Sequence, residues 1–221
     1  MTDLSTPTRK PERYTDERAR LDELLDGVPV GVLSTVHEGL PWSVPMLVAR
    51  DGDRVLLHGS TGAGALRHLR VGAPITLTVM ALDGLVVAES AFDSSANYRS
   101  AVLRGTAVEL AGDEAAAALE RLTDRLLPGR TDEIRGSTRR ELAATTCLVL
   151  PIEEGSWLFK ERTGGTDPST DPEVWSGVVP LRLVAGMPEP TAGVTAPTPG
   201  SVQAVGEAYP GFPEEVSAPP R

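Results

Sequence analysis

The sequence predicts a mainly β fold, an antiparallel β-barrel with a few peripheral helices. Most of the local signals are for strands, and at least six segments have the apolar, β-branched composition that strands favour. Several of these segments are joined by turns of about three residues, which connect antiparallel neighbours. The elements do not alternate strand–helix–strand as a parallel sheet requires. Closing the sheet into a barrel would remove its exposed edges.

The first half of the structured part predicts one helix and then a three-stranded meander. The helix is expected at residues 15–25, where Thr15 or Asp16 can cap it and three leucines share one face. Short turns at 37–39 and 51–53, each containing a glycine, connect the strands that follow. These strands are expected at 28–36, 41–50 and 54–58.

The second half adds further strands and two helices. A glycine-rich break at 59–64 leads into a short helix at 65–71, and an alanine- and leucine-rich helix is expected at 113–127. A turn at residues 83–84 is expected to separate two of the strands. The strands of this half are expected at 74–81, 85–88, 100–110, 145–152 and 156–162.

The composition divides the 221 residues into a structured domain and two loose ends. Residues 188–221 contain eight of the 19 prolines and show no apolar periodicity, so they cannot bury enough surface to offset the entropy of ordering. We therefore predict a flexible segment at 1–14, one domain at 15–187 and a disordered, proline-rich acidic tail at 188–221.

The charge and the single cysteine exclude several classes of protein. The formal net charge is −10, whereas a nucleic-acid module needs a basic face, but a local arginine cluster could still bind a small anion. Cys147 cannot form an intramolecular disulfide or a multi-cysteine metal site, and its apolar neighbours predict a packed thiol. The chain shows no signal-peptide or membrane-spanning segment, so we expect a cytoplasmic protein.

One segment has the features of an anion site, where a strand ends, three glycines and two hydroxyls follow, and a helix begins. The free N–H groups and the helix dipole would face a phosphate, with Arg67 or Arg70 adding charge from the helix. The alternative is a glycine-rich turn with Thr61 as the helix cap. The spacing matches neither a dinucleotide fingerprint nor a Walker A loop. The residues concerned are His58, Gly59, Ser60, Thr61, Gly62 and Gly64.

A second candidate is the polar and aromatic stretch at 90–100, just before a predicted strand. Such a stretch can form the mouth of a binding site on a rigid barrel. The alternative is a solvated connection in which Tyr98 is half-packed. The three histidines lack metal-ligand spacing, and no nucleophile elbow is present.

Several motifs, in the right order, resemble those of the pyridoxamine 5′-phosphate oxidase-like flavin-binding split barrels. The similarity is greatest to the flavin-nucleotide-binding, nitroimidazole-resistance-type branch, and it covers roughly residues 12–190. Three motifs are His58-Gly59-Ser60-Thr61-Gly62, Leu82-Asp83-Gly84-Leu85-Val86 and Asn97-Tyr98-Arg99-Ser100. Further matches lie at 141–146, 162–164 and 174–181.

This resemblance implies a six-stranded antiparallel split barrel that forms a homodimer and binds FMN in a cleft between the subunits. The segment 59–62 would then hold the FMN phosphate, and His58 would lie beside the flavin ring. Asn97, Tyr98, Arg99 and Ser100 would lie near the flavin or its phosphate, with Arg99 as an anion partner.

The chain departs from the family pattern in two places. Ala63, Gly64 and Ala65 stand where relatives often have a basic residue, and Asp93 and Ser94 stand where relatives tend to have two histidines. Both changes imply weaker FMN binding, because one removes a cation and the other adds a negative charge.

Two functions are compatible with the sequence. The first is a flavin-dependent oxidoreductase with an unknown small-molecule substrate, in which the cofactor carries the chemistry. The second is a non-catalytic protein that binds flavin, deazaflavin F420 or haem as a store, sensor or regulator.

Overall fold

The computed structural model describes residues 9–209, which contain ten strands and five α-helices. The strands are β1 (Tyr14–Thr15), β2 (Val30–His37), β3 (Leu40–Asp51), β4 (Arg54–Ser60), β5 (Pro74–Val87), β6 (Ser95–Thr106), β7 (Val108–Leu110), β8 (Thr145–Pro151), β9 (Trp157–Arg162) and β10 (Gly177–Pro180). The helices are α1 (Arg18–Gly27), α2 (Gly64–Arg70), α3 (Gly112–Leu126), α4 (Arg139–Ala143) and α5 (Gly200–Ala208). Short 3₁₀ turns lie at Pro11–Arg13 and Arg130–Asp132.

All strands belong to one antiparallel sheet, which confirms the predicted mainly β class. The order is β1-β9-β6-β5-β2-β3-β4-β8-β7, and β10 pairs with β5. The predicted closed, six-stranded barrel is not confirmed. Within residues 9–209, β1 and β7 lie at the two ends of the strand order and do not pair with each other, so the sheet is not closed. The additional edge strands have only two to four residues. Such short segments carry no alternation that the sequence could reveal.

Most predicted elements are found within a few residues of their expected bounds, but two strands differ. The expected turn at 83–84 is an irregularity inside β5, where the pairing with β6 shifts between Leu82 and Gly84. Both edges of this part of β5 are hydrogen-bonded, since β10 pairs on the other side, and this pairing keeps the strand extended across Asp83 and Gly84. The other difference is that the strand expected at 100–110 is two strands. The first, β6, begins at Ser95, so the polar stretch before residue 100 lies partly in a strand, and residues 108–110 form β7, which pairs with β8.

The main core is enclosed by the sheet and α1. The burial along β2 alternates over Gly31–Thr35, as expected for a strand with one face in the core. The predicted apolar face of α1 is confirmed, because all three of its leucines are buried. The largest fully buried side chains in this core are Leu21, Leu24, Leu57, Leu69, Leu77, Leu103, Leu148, Leu150 and Phe159.

The opposite face of the β4–β8 pair is also buried and includes the cysteine. Leu56, Cys147 and Val149 lie there, since they alternate with the core residues of the same strands. Cys147 is a buried free thiol, and burial raises its pKa. The predicted packed thiol is therefore confirmed.

The described chain divides into two compact units, the first containing residues 9–122 and 137–182 and the second containing 123–136 and 183–209. The first unit carries the sheet. In the second unit, the backbone N–H of Ser201 donates to Glu133 Oε1 at 3.0 Å. No helix within residues 9–209 is long and apolar enough to cross a membrane.

Part of the predicted disordered tail has a defined structure. Helix α5 lies between Pro199 and Pro210, in a stretch without proline, and its Ser201 is buried. The structure therefore differs from the prediction of disorder at 200–208, because the proline count of the whole tail obscures a short helix-compatible segment. Residues 1–8 and 210–221, which were also predicted to be flexible, lie outside the described residues.

Candidate functional site

The predicted anion-binding segment begins inside β4 and ends at α2. His58, Gly59 and Ser60 are the last residues of β4, and they pair with Cys147, Thr146 and Thr145 of β8. Thr61 and Gly62 form the turn that follows, and α2 begins at Gly64. The structure therefore keeps these five candidate residues together as one strand end and turn.

The backbone N–H groups of this turn already donate hydrogen bonds within the chain. Thr61 N donates to Ala144 O at 3.0 Å, and Ala63 N donates to Ser60 O at 2.9 Å. Gly62 N donates to the Ser60 hydroxyl at 3.2 Å. The N–H groups of residues 61–63 are thus internally bonded in this conformation and offer no free donor to a phosphate.

Two buried polar atoms beside this turn have no hydrogen-bond partner among the described residues. They are Nδ1 of His58 and Oγ1 of Thr146, which pairs with the adjacent Gly59. Burial lowers the pKa of His58, so its imidazole is neutral at pH 7. The two side chains lie on opposite faces of the sheet, since His58 pairs with Cys147 and Thr146 pairs with Gly59. Buried polar atoms nearly always have a partner, so the unpaired Nδ1 of His58 indicates room beside it for a water molecule or a polar atom of a ligand.

The two cations predicted to support an anion differ in availability. Arg70 forms an ion pair with Glu109 at 2.8 Å. Arg67 is exposed and makes no ion pair with any residue that the structure describes. Arg67 is therefore the better cation for a ligand at this turn.

The second predicted cluster lies on β6. Both polar atoms of the Asn97 side-chain amide form hydrogen bonds. Asn97 is buried, and its Nδ2 donates to Gly164 O at 2.9 Å. Arg162 Nη1 donates to Asn97 Oδ1 at 2.7 Å. Asn97 therefore holds the backbone that follows β9.

Arg99, the predicted anion partner, is already paired. It donates two hydrogen bonds to the carboxylate of Asp83, at 3.0 and 2.8 Å, and Glu23 lies at 3.6 Å. The bonds to Asp83 raise the pKa of Arg99, although burial opposes this. Asp83 is the extra residue at the irregularity in β5, so its ion pair with Arg99 links this part of β5 to β6. A phosphate could therefore bind Arg99 only if the bidentate ion pair between Arg99 and Asp83 were broken.

Tyr98 and Ser100 share the other face of β6 with a lysine that the sequence reasoning missed. Ser100 Oγ donates to Lys160 O at 3.3 Å, and Lys160 Nζ lies 5.1 Å from the centre of the Tyr14 ring. Burial lowers the pKa of Lys160, but hydrogen bonds with Tyr98 and Tyr14 outweigh this and raise it. The only available signal was rarity, because Lys160 is one of two lysines in the chain.

An exposed apolar surface adjoins Tyr98 and Ser100. In the sheet register Ser100 lies opposite Met80 and Tyr98 lies opposite Leu82. The same face continues across β2 and β3, where large apolar side chains are also exposed. We define the outer face as Val30, Val32, Leu47, Met80 and Leu82.

The two candidate clusters are not adjacent in the sheet of one chain. One lies at the end of β4 and the other on β6, and β5, β2 and β3 lie between these strands in the sheet order. Residues 9–209 also contain no group of three His, Cys, Asp or Glu that could hold a metal ion.

The chain is similar to a family model and to solved structures. Residues 17–157 match the model described as pyridoxamine 5′-phosphate oxidase. The FAD and heme binding protein from Mycobacterium smegmatis is 44% identical with a TM-score of 0.85, and the match covers 88% of this chain and 97% of that chain. The flavocytochrome Anf3 from Azotobacter vinelandii is 30% identical with a TM-score of 0.82, and the match covers 92% and 96%.

A more distant structure shares the fold. The nitroimidazole antibiotic resistance protein from Bacteroides thetaiotaomicron is 17% identical with a TM-score of 0.56, and the match covers 67% of this chain and 86% of that chain. No curated protein sequence matches the chain. The match to residues 17–157 and the two relatives with at least 30% identity show that the chain belongs to the pyridoxamine 5′-phosphate oxidase-like family.

Proposed function

We propose that the chain binds a flavin and haem and acts as a homodimeric oxidoreductase. The observation that carries this proposal is the 44% identity to a protein described as binding FAD and heme, over 97% of that protein's length. The second relative, described as a flavocytochrome, supports the same pair of cofactors. The sequence alone predicts FMN as the flavin and haem only as an alternative.

The residues at the end of β4 fit a flavin. The unpaired Nδ1 of His58 lies at the strand end before the turn, and Arg67, an exposed cation on the helix after the turn, has no ion pair within residues 9–209. Arg67 would attract the phosphate, and neutral His58 could donate or accept one hydrogen bond. The relatives support FAD over the predicted FMN, since one is described as FAD-binding. Both flavins carry the phosphate that this turn would bind.

A homodimer would bring the two candidate clusters together. Within one chain, three strands separate the turn after β4 from Tyr98 and Ser100. The outer face exposes large apolar side chains, with Met80 59% exposed, and such contiguous surfaces commonly mark interfaces. Packing of two outer faces would cover them and would place Tyr98 of one subunit near the flavin of the other.

The two cofactors together suit electron transfer. A flavin accepts two electrons as hydride and passes them on singly, and haem iron carries one electron at a time. The chain would bind and orient the cofactors, and Arg67 would hold the flavin phosphate. The substrate and the electron acceptor are not encoded in any motif of the sequence.

Titration of the cofactor-free protein with FAD, FMN and riboflavin tests the flavin site. Arg67→Ala should weaken FAD and FMN binding by about threefold to tenfold, the effect of one partly screened charge on a phosphate. Riboflavin has no phosphate and should bind this variant like the unchanged protein.

Arg70→Ala is the matched control, because Arg70 lies on the same helix but is paired with Glu109. It should leave all three affinities unchanged. Equal losses for riboflavin and FAD in Arg67→Ala would show that Arg67 supports the fold and not the phosphate. Turnover with NAD(P)H and an electron acceptor would support an oxidoreductase over a non-catalytic binder, and failure to bind any flavin would favour F420.

A further inference from the structure

Two histidines outside the flavin site are in contact at the tip of the β2–β3 hairpin. His37 ends β2 and His68 lies on α2, and their ring centroids are 4.8 Å apart with an interplanar angle of 67°. They lie 31 residues apart in sequence, so their spacing suggests no metal site. The fold brings them together.

The surroundings of His68 fix its orientation. Its Nε2 lies 3.0 Å from the backbone oxygen of Val36, and since a carbonyl only accepts, Nε2 carries the hydrogen. A hydrogen bond from a ring nitrogen to a backbone carbonyl fixes both the tautomer and the orientation of an imidazole. Here it holds the His68 ring edge-on against His37 and so restricts the movement of the His37 ring.

His37 has an available ring nitrogen. Its side chain is 57% exposed, and the nearest carboxylate oxygen, Oε1 of Glu38, is 3.9 Å from Nε2, beyond hydrogen-bond distance. Within residues 9–209, Nε2 of His37 makes no hydrogen bond. A neutral imidazole with an unpaired nitrogen is a common ligand of haem iron.

Exposed apolar residues are neighbours of His37 in the β2–β3 pairing. Leu40 lies directly across from His37 in the β2–β3 register, and Trp42 lies one pair further along the same face, opposite Thr35. Leu40 is 69% exposed and Trp42 is 56% exposed. A planar apolar macrocycle could cover both while its iron meets His37, which would explain why two large apolar groups are left in water.

Other potential ligands in the described part of the chain fit haem less well. Cys147 is buried, and burial raises its pKa, so the thiolate that would bind iron is disfavoured. His58 is the third histidine, and its unpaired atom is the buried Nδ1 beside the flavin turn. Only the pair of His37 and His68 combines an accessible nitrogen with an apolar surface.

We propose that His37 is an axial ligand of the haem iron through Nε2, and that His68 is a positioning residue that orients it. Leu40 and Trp42 would pack against the macrocycle. This inference rests on the haem part of the proposed function. It adds the side chain that binds the iron and the surface that the porphyrin covers.

Hemin titration of the full chain, followed by optical and electron paramagnetic resonance spectra, tests the assignment. His37→Ala should lose the spectrum of histidine-ligated iron, and added imidazole should restore it by occupying the vacated position. His68→Ala should keep that spectrum but bind hemin about tenfold more weakly, as expected for loss of a residue that supports a ligand. Glu38→Gln is the matched control in the same turn and should behave like the unchanged protein.

Flavin titration of the same variants is the control for folding. We expect their flavin affinities to be unchanged. The inference is overturned if His37→Ala retains the histidine-ligated spectrum without imidazole. If the unchanged protein binds flavin but not hemin, both this inference and the haem part of the proposed function are wrong. If hemin binds with a histidine-ligated spectrum in every variant, the haem part stands and the assignment to His37 fails.

Discussion

Gly59 and Gly62 lie three residues apart in the predicted phosphate-binding segment, but only Gly59 is closely packed. A Cβ on Gly59 would lie 2.5 Å from Cδ1 of Leu66, whereas a Cβ on Gly62 would meet only the Ser60 hydroxyl at 3.6 Å. Leu66 is 4% exposed and has little freedom to move away. The glycine at 59 is therefore needed for the packing of α2 on β4.

We predict that Gly59→Ala lowers the free energy of unfolding by about 1–3 kcal/mol, the usual cost of overpacking a filled core. Gly62→Ala should change it by less than about 0.5 kcal/mol, since nothing obstructs the new methyl group. Chemical denaturation of both variants measures the difference. Equal stabilities would mean that Leu66 can repack without cost.

The sequence identified the segments of the candidate site but not the partners of their side chains. The positions of His58, Gly59 and Ser60 follow from the strand-end motif. The pairing of Arg99 with Asp83 depends on an irregular position in β5, and the contact of His37 with His68 joins a hairpin to a helix. Such contacts are set by register and packing, which one sequence does not display.

Among the connecting elements, the segment after residue 162 is fastened to the end of β5 by one carboxylate. Glu89 accepts hydrogen bonds from Ser169 Oγ at 2.6 Å, Thr170 N at 2.9 Å and Asp171 N at 3.1 Å. These bonds lower the pKa of Glu89 from 4.5 to about 2. The carboxylate is the form that stabilises the segment.

The direction of the pH dependence follows from this lowered pKa. The contribution of Glu89 to stability is fully present above pH 4.5 and is lost as the pH falls through about 2. We predict that the Thr170 amide signal, followed by nuclear magnetic resonance, titrates with a midpoint near 2 and that Glu89→Gln abolishes this transition. A midpoint near 4.5 would show that the hydrogen bonds do not persist in solution.

At the same scale, most helices and strands were predictable, including the short helix α2, but the two strands at the margins of the sheet, β1 and β10, were not. The meander β2–β3–β4 follows from apolar runs separated by glycine-containing turns, and Gly39 and Gly52 have the positive φ angles that such turns require. By contrast, β1 and β10 acquire their conformation from pairing with β9 and β5. Helix α5 was hidden by the prolines around it.

For the whole molecule, the proposed flavin site would combine residues from two copies of the chain. The sheet separates the turn after β4 from Tyr98 and Ser100 by three strands. The outer face, with its five exposed apolar side chains, is the surface on which a second copy would bring them together. The resemblance to the family predicts a homodimer from the sequence, whereas composition and periodicity alone do not.

Native mass spectrometry of the purified full-length protein, supplemented with hemin, FAD and FMN, tests the central claim most directly. The account predicts a species with the mass of two chains, two flavins and two haems, and with FAD as the retained flavin. Retention of FMN alone would correct the flavin and leave the dimer in place. A single chain that binds neither flavin nor haem under these conditions would contradict the account.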